Sequence, residues 1–156
     1  MDPSRTRPAD AVAGACGLLL LIAMFLPWFG LDEAVDLPGG PGTIVTQGRG
    51  LNAWEAFRYV DVILLVAALL GMALLVLRAA HVMPRWRVPF PLIVTAVGAL
   101  ATVLIVYRLI DPPAIEGPLS GGSAEVGRRI GIYFGLLATA GITWGANGSL
   151  GAQVGR

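Results

Sequence analysis

Lysine is absent, and arginine supplies all eleven positive charges. Ten acids offset them and leave a formal net charge of +1. No global basic field exists to gather nucleic acid, so no nucleic-acid partner is expected. Charged residues make up only 13% of the chain, against roughly 25% in a soluble domain. The single cysteine, Cys16, excludes an intrachain disulfide and two-thiol redox chemistry. The single histidine, His81, excludes a haem held by two histidines of one chain.

Apolar sequence fills the place of what is missing. Of 156 residues 56% are hydrophobic, and mean hydropathy is +0.74. A membrane-spanning helix needs about 20 apolar residues. Four stretches approach this: about 11–31, 59–78, 88–108 and 129–146. The expected fold class is all-α: a single domain, 1–156, forming a four-helix transmembrane bundle with a small structured extracytoplasmic loop at about 32–53. Arg5 and Arg7 precede the first run as in a signal peptide. However, Phe25-Leu26-Pro27-Trp28-Phe29 offers no small-residue cleavage site, so the run reads as an uncleaved anchor.

Four spans put both termini on one side, and arginine placement sets which side. Arg5, Arg7, Arg78, Arg85, Arg87 and Arg156 fall with the termini; Arg49, Arg58, Arg108, Arg128 and Arg129 fall opposite. The short segment His81-Val82-Met83-Pro84-Arg85-Trp86-Arg87 is rich in arginine and has no acid. Both termini are therefore expected in the cytoplasm. Trp28, Trp54, Tyr59, Tyr107 and Tyr133 would anchor the outer interface, and Trp86 and Trp144 the inner one.

Local signals refine the loops. Asp32, Glu33 and Asp36 open the outer loop, and Pro38-Gly39-Gly40-Pro41-Gly42 breaks it. Thr43-Ile44-Val45-Thr46-Gln47 is rich in β-branched residues and predicts a hairpin with Val35-Asp36-Leu37. Asn52-Ala53-Trp54-Glu55 predicts a capping-box start to a helix running unbroken from Ala53 to Arg78 or Ala79. Pro89 and Pro91 suit the first turn of the third span, and Pro112-Pro113 ends it. Gly117-Pro118 and Ser120-Gly121-Gly122-Ser123 punctuate the next loop. The glycine-rich tail after Asn147 reads as frayed.

Catalytic signatures are missing. The expected spans hold no serine, and Cys16 has no neighbouring base. No phosphate-binding glycine loop and no metal-ligand spacing occurs. No catalytic residue, metal or cofactor is expected, and the chain does not read as an enzyme. Small multidrug exporters share the span count but carry a glutamate in the first span, which has none here. The candidate polar cluster is Arg58, Asp61, Arg108 and Asp111 at the outer ends of spans two and three. Each Arg–Asp pair is spaced i, i+3, fit either for an outward-facing pocket or for fixing helix depth. Asp61 and Arg108 lie at equivalent depths and are expected to pair. Thr95, Thr102, Thr139 and Thr143 would bond across helices or back along their own.

Span four carries a second pattern. Gly127, Gly131, Gly135, Ala138, Gly141 and Gly145 form a small-residue ladder, while Ile132, Tyr133 and Leu136 point elsewhere. In lipid, helices associate by close backbone approach, so this face is expected against another helix of this chain, a second copy or a partner subunit.

Leu26-Pro27-Trp28-Phe29, Asn52-Ala53-Trp54-Glu55-Ala56-Phe57, Tyr107-Arg108-Leu109-Ile110-Asp111-Pro112-Pro113 and Gly131-Ile132-Tyr133-Phe134-Gly135-Leu136-Leu137-Ala138 together resemble a group of uncharacterised four-span proteins of actinobacterial type. The resemblance implies a bacterial plasma membrane and carries no site residue with it. The sequence therefore reads as a structural or accessory membrane protein. Its expected partners are membrane lipids and a second copy or another membrane protein. A small oligomeric transporter or channel with an outward-facing polar pocket is the alternative.

Overall fold

The computed structural model describes residues 8–36, 43–56, 59–80, 82, 88–111 and 125–154. It is mostly helical, with one small sheet. In chain order the elements are α1 (Pro8–Ala23), β1 (Phe29–Asp36), β2 (Thr43–Leu51), α2 (Ala53–Ala56), α3 (Val60–Ala79), α4 (Phe90–Ile110), β3 (Glu125–Arg128) and α5 (Ile130–Val154).

Two of these helices, α3 and α4, are long and apolar enough to cross a membrane. This is coarser than the expected four spans. α1 is apolar but only 16 residues long. α5 has 25 residues, diluted by Asn147, Ser149 and many glycines.

Each long helix buries a narrow stripe at helical spacing. The buried positions include Ala13, Gly14, Gly17 and Leu20 in α1; Leu64, Ala67, Ala68, Gly71 and Leu74 in α3; and Val94, Gly98, Ala101 and Ile105 in α4. Small residues dominate, so backbones come close. A β-carbon on Gly17 would lie 2.7 Å from the Ala68 carbonyl oxygen, and one on Gly71 would lie 2.9 Å from that of Ala13. α1 packs against α3 and α5, and α4 packs against α5 and less extensively against α3. The opposite faces carry large apolar side chains, among them Ile22, Leu69, Val103 and Leu137.

Helix ends follow local chemistry. The Asn52 amide N–H donates to Glu55 Oε2 at 3.3 Å, and the Glu55 amide donates to Asn52 Oδ1 at 3.0 Å. That reciprocal box starts α2, but the expected unbroken helix does not follow. Tyr59 takes φ −136°, outside helical geometry, and α3 begins afresh at Val60. Pro91 sits in the first turn of α4, where its missing N–H costs nothing. α5 continues past Asn147 with Ser149 fully buried, so that stretch is an ordered helix instead of a frayed tail.

The mostly helical structure carries a small sheet besides its helices. β1 pairs antiparallel with β2, from Phe29↔Leu51 to Asp36↔Thr43, with a register shift between Gly30 and Asp32. The expected hairpin is present, with Val35 opposite Ile44, and is longer than expected; Leu37 lies outside the described residues. β3 adds to the other edge of β1, giving the order β2-β1-β3. These strands adjoin the ends of α1, α2 and α5, so the sheet caps the helices at the end away from the termini.

Candidate functional site

Pro27 and Trp28 form a knot beneath the sheet. The Trp28 amide donates to the Leu51 carbonyl at 2.8 Å, and the Trp28 carbonyl accepts from the Arg129 amide at 2.9 Å. The Pro27 carbonyl accepts from Gly131 at 3.0 Å, and the Met24 carbonyl accepts from Ala53 at 3.1 Å. The end of α1 is thereby tied to β2, α2 and α5 by backbone hydrogen bonds. The Trp28 indole N–H donates to the Ala23 carbonyl at 2.7 Å, and the side chain is fully buried. This corrects its expected place as an interface anchor: with its N–H satisfied, the ring serves as core. Trp54 is half-buried beside Phe25, whereas Tyr59, Tyr107, Tyr133 and Trp144 are exposed. Trp86 lies outside the described residues.

The small residues of α5 line the seam with α1. A β-carbon on Gly131 would lie 2.6 Å from Pro27 O and from Trp28 Cδ1, and one on Gly135 would lie 2.5 Å from Trp28 Cη2. Gly141 abuts Cys16 Sγ, and a β-carbon on Gly145 would lie 2.6 Å from the Ala9 carbonyl oxygen. Ala138 is buried. Gly127 is not on this helix; it lies in β3, paired with Gly30. Ile132, expected to point away, is fully buried together with Thr139, Ile142 and Ala146. α5 therefore has two covered faces, because it touches α4 as well as α1.

Two members of the expected outer polar cluster, Asp61 and Asp111, make local contacts. Asp61 accepts from the Val62 amide at 2.9 Å, within its own helix end. Asp111 accepts from the Tyr107 hydroxyl at 3.1 Å, and the Arg108 guanidinium lies 5.9 Å from the Tyr107 ring centroid. Arg58 lies outside the described residues. Arg128 Nε donates to the Leu109 carbonyl at 2.9 Å and ties β3 to the end of α4.

A polar cluster occurs instead at the other end of the bundle. Asp10 in the first turn of α1 is 1% exposed, and it accepts a hydrogen bond from the buried Ser149 hydroxyl of α5. Arg78 in the last turn of α3 donates from Nη2 to Ser149 Oγ at 3.4 Å. Arg78 Nε faces Asp10 Oδ2 at 3.7 Å, and neither atom has a hydrogen-bond partner. Each charge suits its own helix terminus as well as the other charge: an acid at an N-terminus and a base at a C-terminus are both favourable. Three helices meet at this cluster. The sequence held a signal for it, since Asp10 and Arg78 interrupt otherwise apolar helical runs, but local spacing cannot name a partner 139 positions away.

The threonines spend their hydroxyls on their own helices. Thr95 bonds Pro91 O at 2.9 Å, Thr102 bonds Gly98 O at 2.8 Å, Thr139 bonds Gly135 O at 3.1 Å and Thr143 bonds Thr139 O at 2.8 Å. Thr95, Thr102 and Thr143 line a groove of about 590 Å³ between α4 and α5, with Val103, Trp144 and Asn147. No group of three potential metal ligands occurs among the described residues. Compared with family models, curated proteins and solved structures, the chain matches none.

Proposed function

We propose that this chain is a four-span integral protein of a bacterial plasma membrane, with both termini cytoplasmic. It acts as a structural or accessory subunit that packs with partner helices or self-associates. One contrast carries the reading: interhelical seams too close for β-carbons, surrounded by outward faces of exposed large apolar side chains. A water-soluble chain would hide such faces, because large apolar patches in water mark interaction or aggregation surfaces. In lipid they lie against acyl chains at no cost, and small-residue seams supply the association. The packing of α1 on α3 and α5, and of α5 on α4, supports counting α1 and α5 with the two longer apolar helices.

The test is extraction and co-purification. The protein is expected to stay with membranes at alkaline carbonate pH and to leave them in mild detergent with a second copy or another membrane protein at fixed stoichiometry. Release by carbonate would overturn the membrane assignment. Isolation as a lone monomer that conducts a solute in liposomes would overturn the accessory role in favour of transport.

A further inference from the structure

The groove of about 590 Å³ between α4 and α5 falls within the usual size range of small-ligand sites. Arg128 Nε bonds Leu109 O near the start of α5, and a β-carbon on Gly98 would lie 2.8 Å from Thr143 Oγ1. The two helices therefore run antiparallel. Val103 and Ala140 mark one end of the groove, and Thr95 and Asn147 the other. Three threonine hydroxyls on its wall donate to carbonyls of their own helices, so those protons are spent. The exposed side chains of Trp144 and Asn147 supply polar groups toward one end only. This is the lining of an amphiphile's site, apolar along its length and polar at a single end.

Length selects the occupant. From Thr95 to Val103 the groove follows α4 for about 12 Å. One leaflet of hydrocarbon is about 15 Å deep, half of a roughly 30 Å core. A partner helix would cross the whole core and approach through small residues. Here the bulky side chains of Val103 and Trp144 stand exposed along the groove. On the topology proposed above, the polar end lies on the cytoplasmic side, where Arg85 and Arg87 lead into α4 in sequence. Anionic lipid is drawn to such a surface. We propose that the groove binds one anionic glycerophospholipid of the cytoplasmic leaflet. An acyl chain lies along Ala99, Thr102 and Ala140, and the ester and headgroup region sits beside Trp144 and Asn147. The proposal rests on the membrane reading of the chain.

Delipidated full-length protein in mild detergent is mixed with equal amounts of phosphatidylglycerol and phosphatidylcholine of identical acyl chains, and bound lipid is read by native mass spectrometry. One lipid should be retained per chain, with phosphatidylglycerol favoured about fivefold or more, the effect of a single basic residue at a membrane surface. Ala140 is exposed, so Ala140→Phe fills the groove without entering the core; it should cut retention about tenfold or more at unchanged melting temperature. Leu69→Phe, on the exposed face of α3, should retain lipid as wild type does. No retained lipid, equal retention of the two lipids, or equal effects of Ala140→Phe and Leu69→Phe would overturn the proposal. So would a protein dimer that Ala140→Phe dissolves, since a second copy would then be the occupant. If Ala140→Phe does not fold, Asn147→Leu removes the polar end and must itself weaken retention; unchanged retention there also rejects the site. Carbonate extraction separates the two failures. A chain that stays in membranes and retains no lipid refutes the groove alone, whereas release by carbonate refutes the membrane reading beneath it.

Discussion

Trp28 occupies the space that a side chain at position 135 would need: a β-carbon on Gly135 would lie 2.5 Å from Trp28 Cη2. The absent side chain and the buried ring are one design. The indole closes the bundle beneath the sheet only because α5 presents bare backbone to it.

Gly135→Leu should therefore lower stability by about 1–3 kcal/mol or more, since overpacking forces ring and helix apart. Gly131→Leu should behave alike, because its neighbours include the Pro27 backbone. Gly151→Leu is the control: nothing lies within 4 Å of its β-carbon position, and melting should be unchanged. Thermal unfolding in detergent reads all three. A Gly135→Leu protein that melts like wild type would contradict the seam.

Trp28→Ala should cost about 3–5 kcal/mol, as for other large aromatics removed from cores. Trp28→Phe keeps most of the volume and removes one of two donors to the Ala23 carbonyl, which still accepts from the Leu26 amide, at about 1 kcal/mol. Equal melting temperatures for the two variants would show that the indole N–H, not the ring volume, carries the effect.

The two ends of the bundle should respond differently to loss of an acid. Asp10→Ala is expected to cost about 2–4 kcal/mol, somewhat below a fully buried pair because water reaches Arg78. Asp61→Ala removes one local bond at a helix start and should stay within about 1 kcal/mol. Reversal of that order in thermal unfolding would move the energetic weight to the sheet end.

Topology can be read by impermeant thiol labelling of intact cells in a Cys16→Ala background. Ser120→Cys should label and Gly151→Cys should not. The converse pattern would invert the orientation.

The four helical regions were legible because apolar run length and spacing are local properties. The hairpin was legible in Thr43–Gln47 for the same reason. Spacing also defines the small-residue face of α5, but it says nothing about which helix covers it. β3 escaped notice because Glu125-Val126-Gly127-Arg128 has no strand pattern of its own; its pairing with β1 supplies the order. Trp28 misled because an interfacial and a buried tryptophan look alike in sequence, and only the gap over Gly131 and Gly135 distinguishes them. The Asp10–Ser149–Arg78 cluster was hidden by distance along the chain. The outer acids Asp61 and Asp111, conspicuous in sequence, are occupied close to home.

The seam between the first helix and the last has a consequence for biosynthesis. α1 is made before α3, α4 and α5, yet one of its two main neighbours is α5, the latest of the four. Until then Gly14 and Gly17 can meet α3, but Asp10 waits for Ser149 and Trp28 waits for the glycines of α5. A chain cut short before residue 130 thus keeps a carboxylate that has Arg78 but not its Ser149 hydrogen bond, and an unhoused indole. Such a truncated product exposes polar and aromatic groups that α5 covers in the full-length chain.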